Sequence, residues 1–519
     1  MEYGTMLIAL MVLPLICSLV MAALPSKSMP KVVYESIHVI SVAAVLVLGV
    51  FLVFQEFTSG EVIMALGQWF RLDALSAVFV ALISVIGGLV GIFAIPYIAH
   101  DVEEGTMNMG QVKSFYAFFS LFLFTMLLAA LSNNIIMMWI SVEATTLATV
   151  FLVGAYRTKT ALEAAWKYVI VCAAGVAFGL YGVLLIYANA ADIMADPTQA
   201  VFWTAILPIA GELDPTLVAI AFTFTVVGFG TKAGLFPMHT WLPDAHSEAP
   251  SPVSALLSGV LLKCAILVII RFYVLTVTAI GTTYPRIILV TLGGLSVVIA
   301  AFSIFRQDDL KRKLAYSSSE NIGVVALALG FGGPIGIAAA LLHCIFHGLT
   351  KALMFCLSGN VLMRYHTRSL EKITGMLEVM PISAVLIVFG FFALSGFPPF
   401  AMFISEIGMV MAGWNSGLVA IVIIVVLALT VVVAAFAIAA VKAAFGRAPE
   451  GMEKRDLPVM ALVPEIILAL AIIWFGICLP QPILTGVDDA TSIVMQEEVD
   501  PLQTGSLLSG IASAIQANE

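Results

Sequence analysis

Several ionisable side chains of this sequence lie inside long apolar runs. Glu143, Lys232, Lys263 and Glu406 each stand deep within such a run. A charged residue at the centre of a membrane-spanning helix costs about 2.5–3.5 kcal/mol on insertion scales, so residues of this kind usually line a wet interior and act on ions or protons. We therefore expect these four side chains to have a functional role and not only a packing role.

Three further polar residues follow one another at intervals of four. His343, His347 and Lys351 fall at i, i+4 and i+8, which places them on one stripe of a helix. A single buried histidine is most often only packed and hydrogen-bonded, but three such groups on one stripe favour a function. Histidine titrates near neutrality, and a buried lysine holds its proton according to the charge of nearby carboxylates. These residue types predict a proton relay, and we see no cluster of oxygen ligands typical of a metal-ion cage.

Other charged residues have a simpler explanation. Glu163 and Lys167 are four residues apart near the end of an apolar run, so they form either an ion pair at the membrane surface or modulators of conduction. Arg271 and Arg364 stand at the ends of apolar runs, where long basic side chains extend toward water.

The composition identifies the elements that must position these residues. Of the 519 residues 61% are apolar and 11% are charged, against about 45–50% and about 25% in soluble domains. The mean hydropathy is +1.10. The chain is therefore predicted to be an all-α, polytopic protein of the lipid bilayer. Its net charge of −9 gives no reason to expect nucleic acid as a partner.

The cysteines argue against a redox cofactor or a metal in this chain. Six are present, scattered singly, and no two have the C-x-x-C spacing that iron–sulfur and zinc sites commonly use.

About 20 apolar residues are needed for each helical crossing of a bilayer, and the sequence contains about fourteen such runs. Their approximate limits are 4–24, 32–54, 74–98, 114–131, 134–154, 161–188, 216–237, 252–276, 285–305, 322–343, 345–363, 380–410, 417–442 and 459–479. The divisions are weakest at Ser132 to Asn134 and near His343, where the separating polar stretch is short.

The basic residues predict the orientation, because they are in excess in cytoplasmic loops. When each loop is numbered by the span it follows, sixteen of the 23 basic residues lie in odd-numbered loops and only Arg71 and Arg286 lie in even-numbered loops. We therefore predict a multi-pass protein of the cell (inner) membrane with both termini on the non-cytoplasmic side. The first run has no basic start, so we expect it to be a retained helix and not a signal peptide.

Spans seven and twelve are interrupted by glycine and proline next to an ionisable residue. The interrupting residues are Gly234 and Pro237 in span seven, and Gly396, Pro398 and Pro399 in span twelve. Such breaks free backbone carbonyls where they can face water. Two broken helices at corresponding places indicate two inverted five-helix repeats, although two ordinary kinked helices would give the same pattern.

This pattern divides the chain into five parts. They are spans one to three (1–113), a first repeat of spans four to eight (114–276), a second repeat of spans nine to thirteen (285–445), span fourteen (459–480) and an acidic tail (481–519). The tail mixes acidic and small apolar residues, so we expect it to be frayed or bound to a partner.

From about Leu72 to Glu406 the sequence resembles the antiporter-like subunits of respiratory complex I, of Mrp sodium/proton antiporters and of membrane-bound nickel–iron hydrogenases. The stretch KAGLFPMHTWLPDAHSEAPSPVSALLSGVLLK carries the resemblance most specifically. Within that family, SVEATTLATVFLVGAYRTKTALEAAWKYVIVC and SGFPPFAMFISE are most similar to hydrogenase-4 component F of formate hydrogenlyase-type complexes.

The resemblance implies roles for individual residues. Glu143 would be the key glutamate of span five, paired with Lys232 of the broken span seven, and Lys263 would be the central lysine of span eight. The remaining proton-carrying positions would be His343, His347, Lys351 and, at the end, Glu406. In the same way, Asp73, Asp244 and His246 occupy motif positions near the surface and are expected to make packing or partner contacts.

The resemblance also implies a function. We expect a proton-translocating subunit of a redox-driven complex, without a cofactor of its own, whose peripheral partners carry [NiFe] and iron–sulfur clusters and whose membrane partners include further antiporter-like or channel subunits. Any oxidoreductase activity would belong to the complex. The alternatives are an Mrp-type sodium/proton antiporter subunit, a complex I M-type subunit, and a non-conducting scaffold that anchors a redox arm.

Overall fold

The computed structural model describes residues 2–26 and 29–499, which are almost entirely helical. A two-stranded antiparallel hairpin pairs β1 with β2. The α-helices and strands, in chain order, are α1 Glu2–Ala23, α2 Lys31–Ser59, β1 Ile63–Ala65, β2 Phe70–Leu72, α3 Ala74–Glu103, α4 Met109–Leu131, α5 Ile135–Val153, α6 Lys159–Ile193, α7 Trp203–Ile206, α8 Pro215–Ala233, α9 Leu242–Glu248, α10 Ser251–Leu256, α11 Leu262–Ile280, α12 Thr283–Arg306, α13 Leu310–Phe331, α14 Gly333–Tyr365, α15 Met376–Val379, α16 Pro381–Leu394, α17 Ala401–Asn415, α18 Val419–Ala444, α19 Val459–Ile477 and α20 Gln481–Met495.

Twelve helical segments of the described chain are long and apolar enough to cross a membrane. Helix α13 has 22 residues but begins LKRK, and α16 and α17 are the two short halves of a broken helix. Counting α13 as one crossing and the broken pair as another would give fourteen. The structure thus confirms a polytopic helical membrane protein, while the exact number of crossings and the division into two repeats stay predictions.

The predicted boundary between spans ten and eleven is wrong. It was expected near His343, but α13 ends at Phe331 and α14 runs unbroken from Gly333 to Tyr365. The turn lies at Gly332 and Gly333, whose φ angles of 71° and 69° favour glycine. Because the first half of α13 reads LKRKLAYSSSEN, its polarity resembles that of a loop and hides the true start of the helix.

Both predicted helix breaks are present, and a third irregularity lies between them. Helix α8 ends at Ala233, Gly234 has a φ of 84°, and a 3-10 turn Met238–Trp241 leads into α9. Helix α16 ends at Leu394 and α17 begins at Ala401. A π-helical turn, Leu257–Leu261, separates α10 from α11. No glycine–proline pattern in the sequence predicted this turn, which lies just before Lys263.

Charged side chains of the loops lie at two opposite ends of the helix bundle. At one end, here called the basic end, Arg368 lies 3.1 Å from Glu248 and 3.3 Å from Asp309, and Arg312 lies 2.5 Å from Asp244. These residues belong to the loops that the charge pattern assigned to one side of the membrane. Their contacts agree with the predicted alternation of the helices.

At the opposite end, Asp73 and Arg271 form a buried ion pair. Arg271 Nη2 donates to Asp73 Oδ1 at 2.7 Å, and its guanidinium lies 4.5 Å from the ring of Trp203. The expectations that Arg271 extends to water and that Asp73 lies near the surface are therefore wrong. Burial alone would raise the pKa of Asp73, but the charges of Arg271 and Arg71 outweigh burial and lower the pKa well below its ordinary value.

Part of the predicted tail is an ordered helix. Helix α20 packs on α2, α3 and α14 through a face that includes Val487, Ala490 and Val494. The expectation of a frayed or partner-bound segment is therefore wrong for residues 481–495. These side chains supply the apolar face that an amphipathic helix buries. The rest of the predicted tail, from residue 500 onward, lies outside the described residues.

Candidate proton-conduction site

Lys232 is held by neutral hydroxyl groups. It stands in the last turn of α8, directly before the Gly234 break, and is fully buried. Its Nζ donates to Thr146 Oγ1 of α5 at 2.8 Å and to Tyr168 Oη of α6 at 2.5 Å. The site can therefore hold the lysine by hydrogen bonds without a bound counter-charge.

Glu143 is near this lysine but does not contact it. Among residues 2–26 and 29–499 no ion pair joins Glu143 to Lys232 within 4.0 Å, so the predicted pair is not closed. Glu143 lies on α5 one helical turn before Thr146, and its Oε2 is buried without a hydrogen-bond partner. A short movement of the Glu143 carboxylate would change the charge that Lys232 experiences.

Lys263 connects the first half of the bundle to the second. It is fully buried, and its Nζ donates to the carbonyl of Ser258 within the π-helical turn. The hydroxyl of Ser258 in turn lies 2.6 Å from that of Ser318 on α13. The predicted central lysine thus bonds to a residue that joins the π-helical turn to α13.

His343 bridges two other helices from the middle of α14. Its Nε2 lies 3.0 Å from Asn321 Oδ1 on α13, and its Nδ1 lies 2.9 Å from Ser405 Oγ on α17. The rings of His343 and His347 are stacked with centroids 6.0 Å apart, as the four-residue spacing predicts. His347 is fully buried, and neither of its nitrogens has a hydrogen-bond partner among residues 2–26 and 29–499.

Lys351 lies one turn further along the same stripe, beside a carboxylate that sequence reasoning missed. Its Nζ donates to the Leu314 carbonyl at 2.6 Å and to Ser317 Oγ. Glu320, one turn beyond Ser317 on α13, is 1% exposed, and its Oε2 accepts from Asn321 Nδ2 at 2.5 Å. The SSSEN run carried the signal, but its polarity made this part of α13 look like a loop.

Glu406 follows Ser405 and lies against the second helix break. A Cβ atom at Gly396 would come 2.1 Å from Glu406 Oε2, so only glycine fits there with the carboxylate in this position. The carboxylate also faces a cavity of about 240 Å³ between the break and α18, which Pro398 and Thr430 help to line. Glu406 therefore borders a cavity.

Glu163 and Lys167 take no part in this buried arrangement. They form an exposed ion pair of 2.7 Å at the basic end, where Lys167 also lies 3.1 Å from Asp244. The sequence left open whether these residues form an ion pair at the membrane surface or modulate conduction, and the geometry shows the ion pair. Asp244 is partly exposed as expected, but His246 is fully buried, so its predicted surface position is wrong.

Together the polar residues form a line through the second half of the molecule. Its hydrogen bonds run from Lys351 over Ser317 and Asn321 to His343 and Ser405, and Glu406 is the next residue of α17. The first half supplies Lys232 and Lys263 on two other helices. In the described part of the chain, no group of three or more His, Cys, Asp or Glu side chains is placed to hold a metal ion.

The sequence and the fold both match known proteins. A family profile described as NADH:quinone oxidoreductase/Mrp antiporter, TM, matches residues 132–431, and one described as complex I chain 5 N-terminus matches residues 64–105. The chain is 40% identical to the hydrogenase-4 component F homolog of Methylacidiphilum infernorum over 340 residues, which are 66% of this chain and 71% of the relative. It is 30% identical to hydrogenase-4 component B of Escherichia coli over 65% of this chain, but spans about half (49%) of that relative.

A solved structure supports the fold alone. A chain of the membrane-bound sulfane sulfur reductase, an archaeal respiratory membrane complex, superposes with a TM-score of 0.84 over 96% of this chain and 99% of that chain, at 23% identity. The family match covers more than half of the sequence and confirms the resemblance drawn from the motifs. The chain therefore belongs to the family of antiporter-like membrane subunits that NADH:quinone oxidoreductases and Mrp antiporters share.

Proposed function

We propose that this chain moves protons across the membrane as a subunit of a redox-driven complex of the hydrogenase type, related to complex I. The observation that carries the proposal is the line of buried ionisable and hydroxyl groups between the two broken helices. Charges at this depth persist where they act on ions or protons, because their burial is otherwise unfavourable. The similarity to hydrogenase-4 components supports this type of complex.

Lys232 would respond to the position of Glu143. When the Glu143 carboxylate approaches, it stabilises the ammonium form of Lys232, and when it withdraws, the lysine releases its proton. Thr146 and Tyr168 hold the Nζ atom in both states because a hydroxyl oxygen accepts from an ammonium and a hydroxyl hydrogen can turn toward an amine.

His343 is placed to pass a proton toward Glu406. The Asn321 amide donates its NH2 to Glu320 and to the Ser317 carbonyl, so its oxygen faces His343 and accepts from Nε2–H. When His343 also carries a proton on Nδ1, it donates to Ser405 Oγ, which donates onward to the Met402 carbonyl at 2.9 Å. A proton released from Nδ1 would reach Glu406, the next residue of α17, through water, because the Ser405 hydroxyl hydrogen is held by the Met402 carbonyl.

The test is proton flux in inverted membrane vesicles that contain the complex, assembled with a tag on this chain. A potassium diffusion potential drives protons inward, and a pH-sensitive dye reports their uptake, so no electron donor is needed.

Lys232→Ala and Glu143→Gln should lower the flux to that of vesicles without the chain. Glu163→Gln is the matched control, because Glu163 is an exposed carboxylate outside the line. Wild-type flux in assembled Lys232→Ala and Glu143→Gln complexes would contradict the proposal and favour a non-conducting scaffold.

The family match also includes Mrp antiporters, so sodium/proton exchange is the second candidate. Sodium-dependent proton flux in the same vesicles would support it. Mass spectrometry of the tagged complex provides an independent test. A nickel–iron large subunit with ferredoxin-like iron–sulfur subunits would support the hydrogenase type, and small hydrophobic membrane partners without a redox protein would support an Mrp-type assembly.

A further inference from the structure

A cavity of about 410 Å³ opens at the basic end, between the end of α3, the start of α6 and the end of α14. Asp101 and Tyr156 lie in its wall together with His100 and His366. The two histidine rings are stacked with centroids 6.3 Å apart, and His366 is exposed. The cavity therefore brings polar groups from three separate segments to one place that water can reach.

A chain of hydrogen bonds leads inward from this cavity. Tyr156 Oη donates to Asp101 Oδ2 at 2.8 Å, and Tyr97 Oη lies 2.9 Å from Tyr156 Oη. Asp101 is 8% exposed and Tyr97 is 1% exposed, so the chain follows the cavity wall toward its more deeply buried side. A hydroxyl can accept one proton while it donates another, which makes such a chain suitable for proton transfer.

Beyond Lys351, the same side of helix α14 leads toward Tyr97. Phe355 and Gly359 follow Lys351 at four-residue intervals and therefore lie on the same side of the helix. At Gly359 the side chains of Tyr97 and Ser251 approach so closely that an added Cβ would lie 3.1 Å and 2.9 Å from them. Tyr97 and Ser251 thus meet beside α14.

One turn closer to Lys351, the ring of Phe355 stacks on His246 with centroids 4.8 Å apart. The Lys351 Nζ lies 5.9 Å from the centroid of the same Phe355 ring. The Phe355 ring thus contacts His246 and lies close to Lys351.

Buried polar atoms without partners mark the steps between these residues. In the described part of the chain, both ring nitrogens of His246 and both ring nitrogens of His347 are enclosed and make no hydrogen bond to protein, whereas Ser251 lies within hydrogen-bonding reach of Tyr97. An imidazole whose two nitrogens are not engaged by protein groups can pass a proton from one nitrogen to the other.

We propose that protons enter the molecule through this cavity. Asp101 takes up a proton from the water at the basic end, Tyr156 and Tyr97 relay it, and Ser251 and His246 deliver it to Lys351. This assignment rests on the proposed function and adds the entry route to it. The charge pattern places the basic end in the cytoplasm, so the route would take up cytoplasmic protons.

Asp101→Asn tests the first step in the vesicle assay with the assembled complex. Asparagine can still accept from Tyr156 but cannot carry the proton, so the flux should fall at least about tenfold, which corresponds to about 1.4 kcal/mol. Asp101→Glu should retain most of the flux, which separates proton uptake from packing. Glu104→Gln is the matched control, because Glu104 lines the same cavity outside the hydrogen-bonded chain.

Tyr97→Phe tests the relay step. It removes one hydroxyl from the chain and should also lower the flux at least about tenfold. Tyr34→Phe is its control, because Tyr34 is a fully buried tyrosine on α2 that lies outside the route, and its hydroxyl has no hydrogen-bond partner within the described part of the chain.

A thiol block tests access from the basic end. His366→Cys, made in a Cys478→Ser background because Cys478 is exposed, places a thiol in the cavity. A membrane-impermeant, negatively charged thiol reagent added outside inverted vesicles should then reduce the flux. Ser416→Cys at the opposite end is the control.

The outcomes separate the two proposals. Wild-type flux in Asp101→Asn and Tyr97→Phe, together with loss of flux in Glu143→Gln, would overturn the entry route and leave the function standing. Wild-type flux in Glu143→Gln would overturn the function itself. Loss of flux in all three variants, with normal flux in the controls, supports both.

Discussion

The two halves of the molecule hold their buried lysines in different ways. In the first half, Lys232 is hydrogen-bonded to two neutral hydroxyls, and Glu143 stands apart from it. In the second half, Lys351 contacts Ser317, and a hydrogen-bonded line continues from there to His343 and Ser405. In the proposed mechanism, the first arrangement depends on the movement of the Glu143 carboxylate, whereas the second is hydrogen-bonded from Lys351 to Ser405.

The difference indicates a division of labour. Because the acid and the amine are separated, a small shift of the carboxylate would change the proton affinity of the lysine. The first half is therefore suited to control. In the second half, the imidazole of His343 can pass a proton between its two nitrogens and is hydrogen-bonded at both, so the second half is suited to conduction. Each of the following variants affects one of these halves or the framework between them.

The largest effect is expected in the framework of the first half. Asp73→Ala would leave Arg271 buried without its partner, which typically costs about 3–5 kcal/mol of stability. We expect a clear fall in the melting temperature of the tagged complex in detergent.

Because the pKa of Asp73 is lowered in the folded chain, its stabilisation is present above the ordinary carboxyl pKa of about 4 and is lost as the pH falls below that value. Melting curves across acid pH should therefore show a steeper loss for the wild type than for Asp73→Asn. Equal slopes would contradict this account.

Lys351→Met should abolish conduction through the second half. Methionine fills a similar volume but cannot carry a proton, so the flux in inverted vesicles should fall by at least about tenfold. Lys454→Met is the control, because Lys454 forms an exposed ion pair with Glu378. Undiminished flux in Lys351→Met would remove the functional difference between the halves.

Glu320→Gln should have an intermediate effect of about threefold to tenfold on the flux. The substitution keeps the size of the side chain but removes the ionisable carboxyl group beside Lys351 and Asn321. It tests whether the second half needs a carboxylate as the first half needs Glu143. An effect as large as that of Glu143→Gln would show that both halves use charge control.

Glu163→Gln should have the smallest effect, less than about twofold, because an exposed ion pair contributes little. Glu163 and Lys167 lie on the surface of α6, away from the line of buried residues. A large loss of flux would show that control in the first half extends to the basic end.

The sequence predicted the composition of the site better than its connections. Seven buried or half-buried positions followed from charge within apolar runs, and the stripe of His343 and His347 followed from spacing alone. Glu320 was missed because the polar residues of α13 suggest a loop, although they face other helices. The distance between Glu143 and Lys232 could not be predicted, since periodicity assigns residues to a face and does not place helices against each other.

The Asp73–Arg271 pair was missed for a related reason. An arginine near the end of an apolar run is normally able to reach water, and only tertiary packing brings Trp203 and Asp73 over it. The hydrogen-bonded chain from Asp101 to Tyr97 likewise joins segments that are more than fifty residues apart. Such contacts form only when the chain folds, so they could not be predicted from a single sequence.

The π-helical turn before Lys263 has a consequence for motion. A π turn contains one residue more than an α turn, so its conversion to α-helix would rotate the helix on one side relative to the other by about 100°. Lys263 bonds to Ser258 within this turn and would be released from it by such a rewinding. The helix that links the two halves can therefore change the direction of its lysine by twisting about its own axis, without any change in its length across the membrane greater than about 1.5 Å.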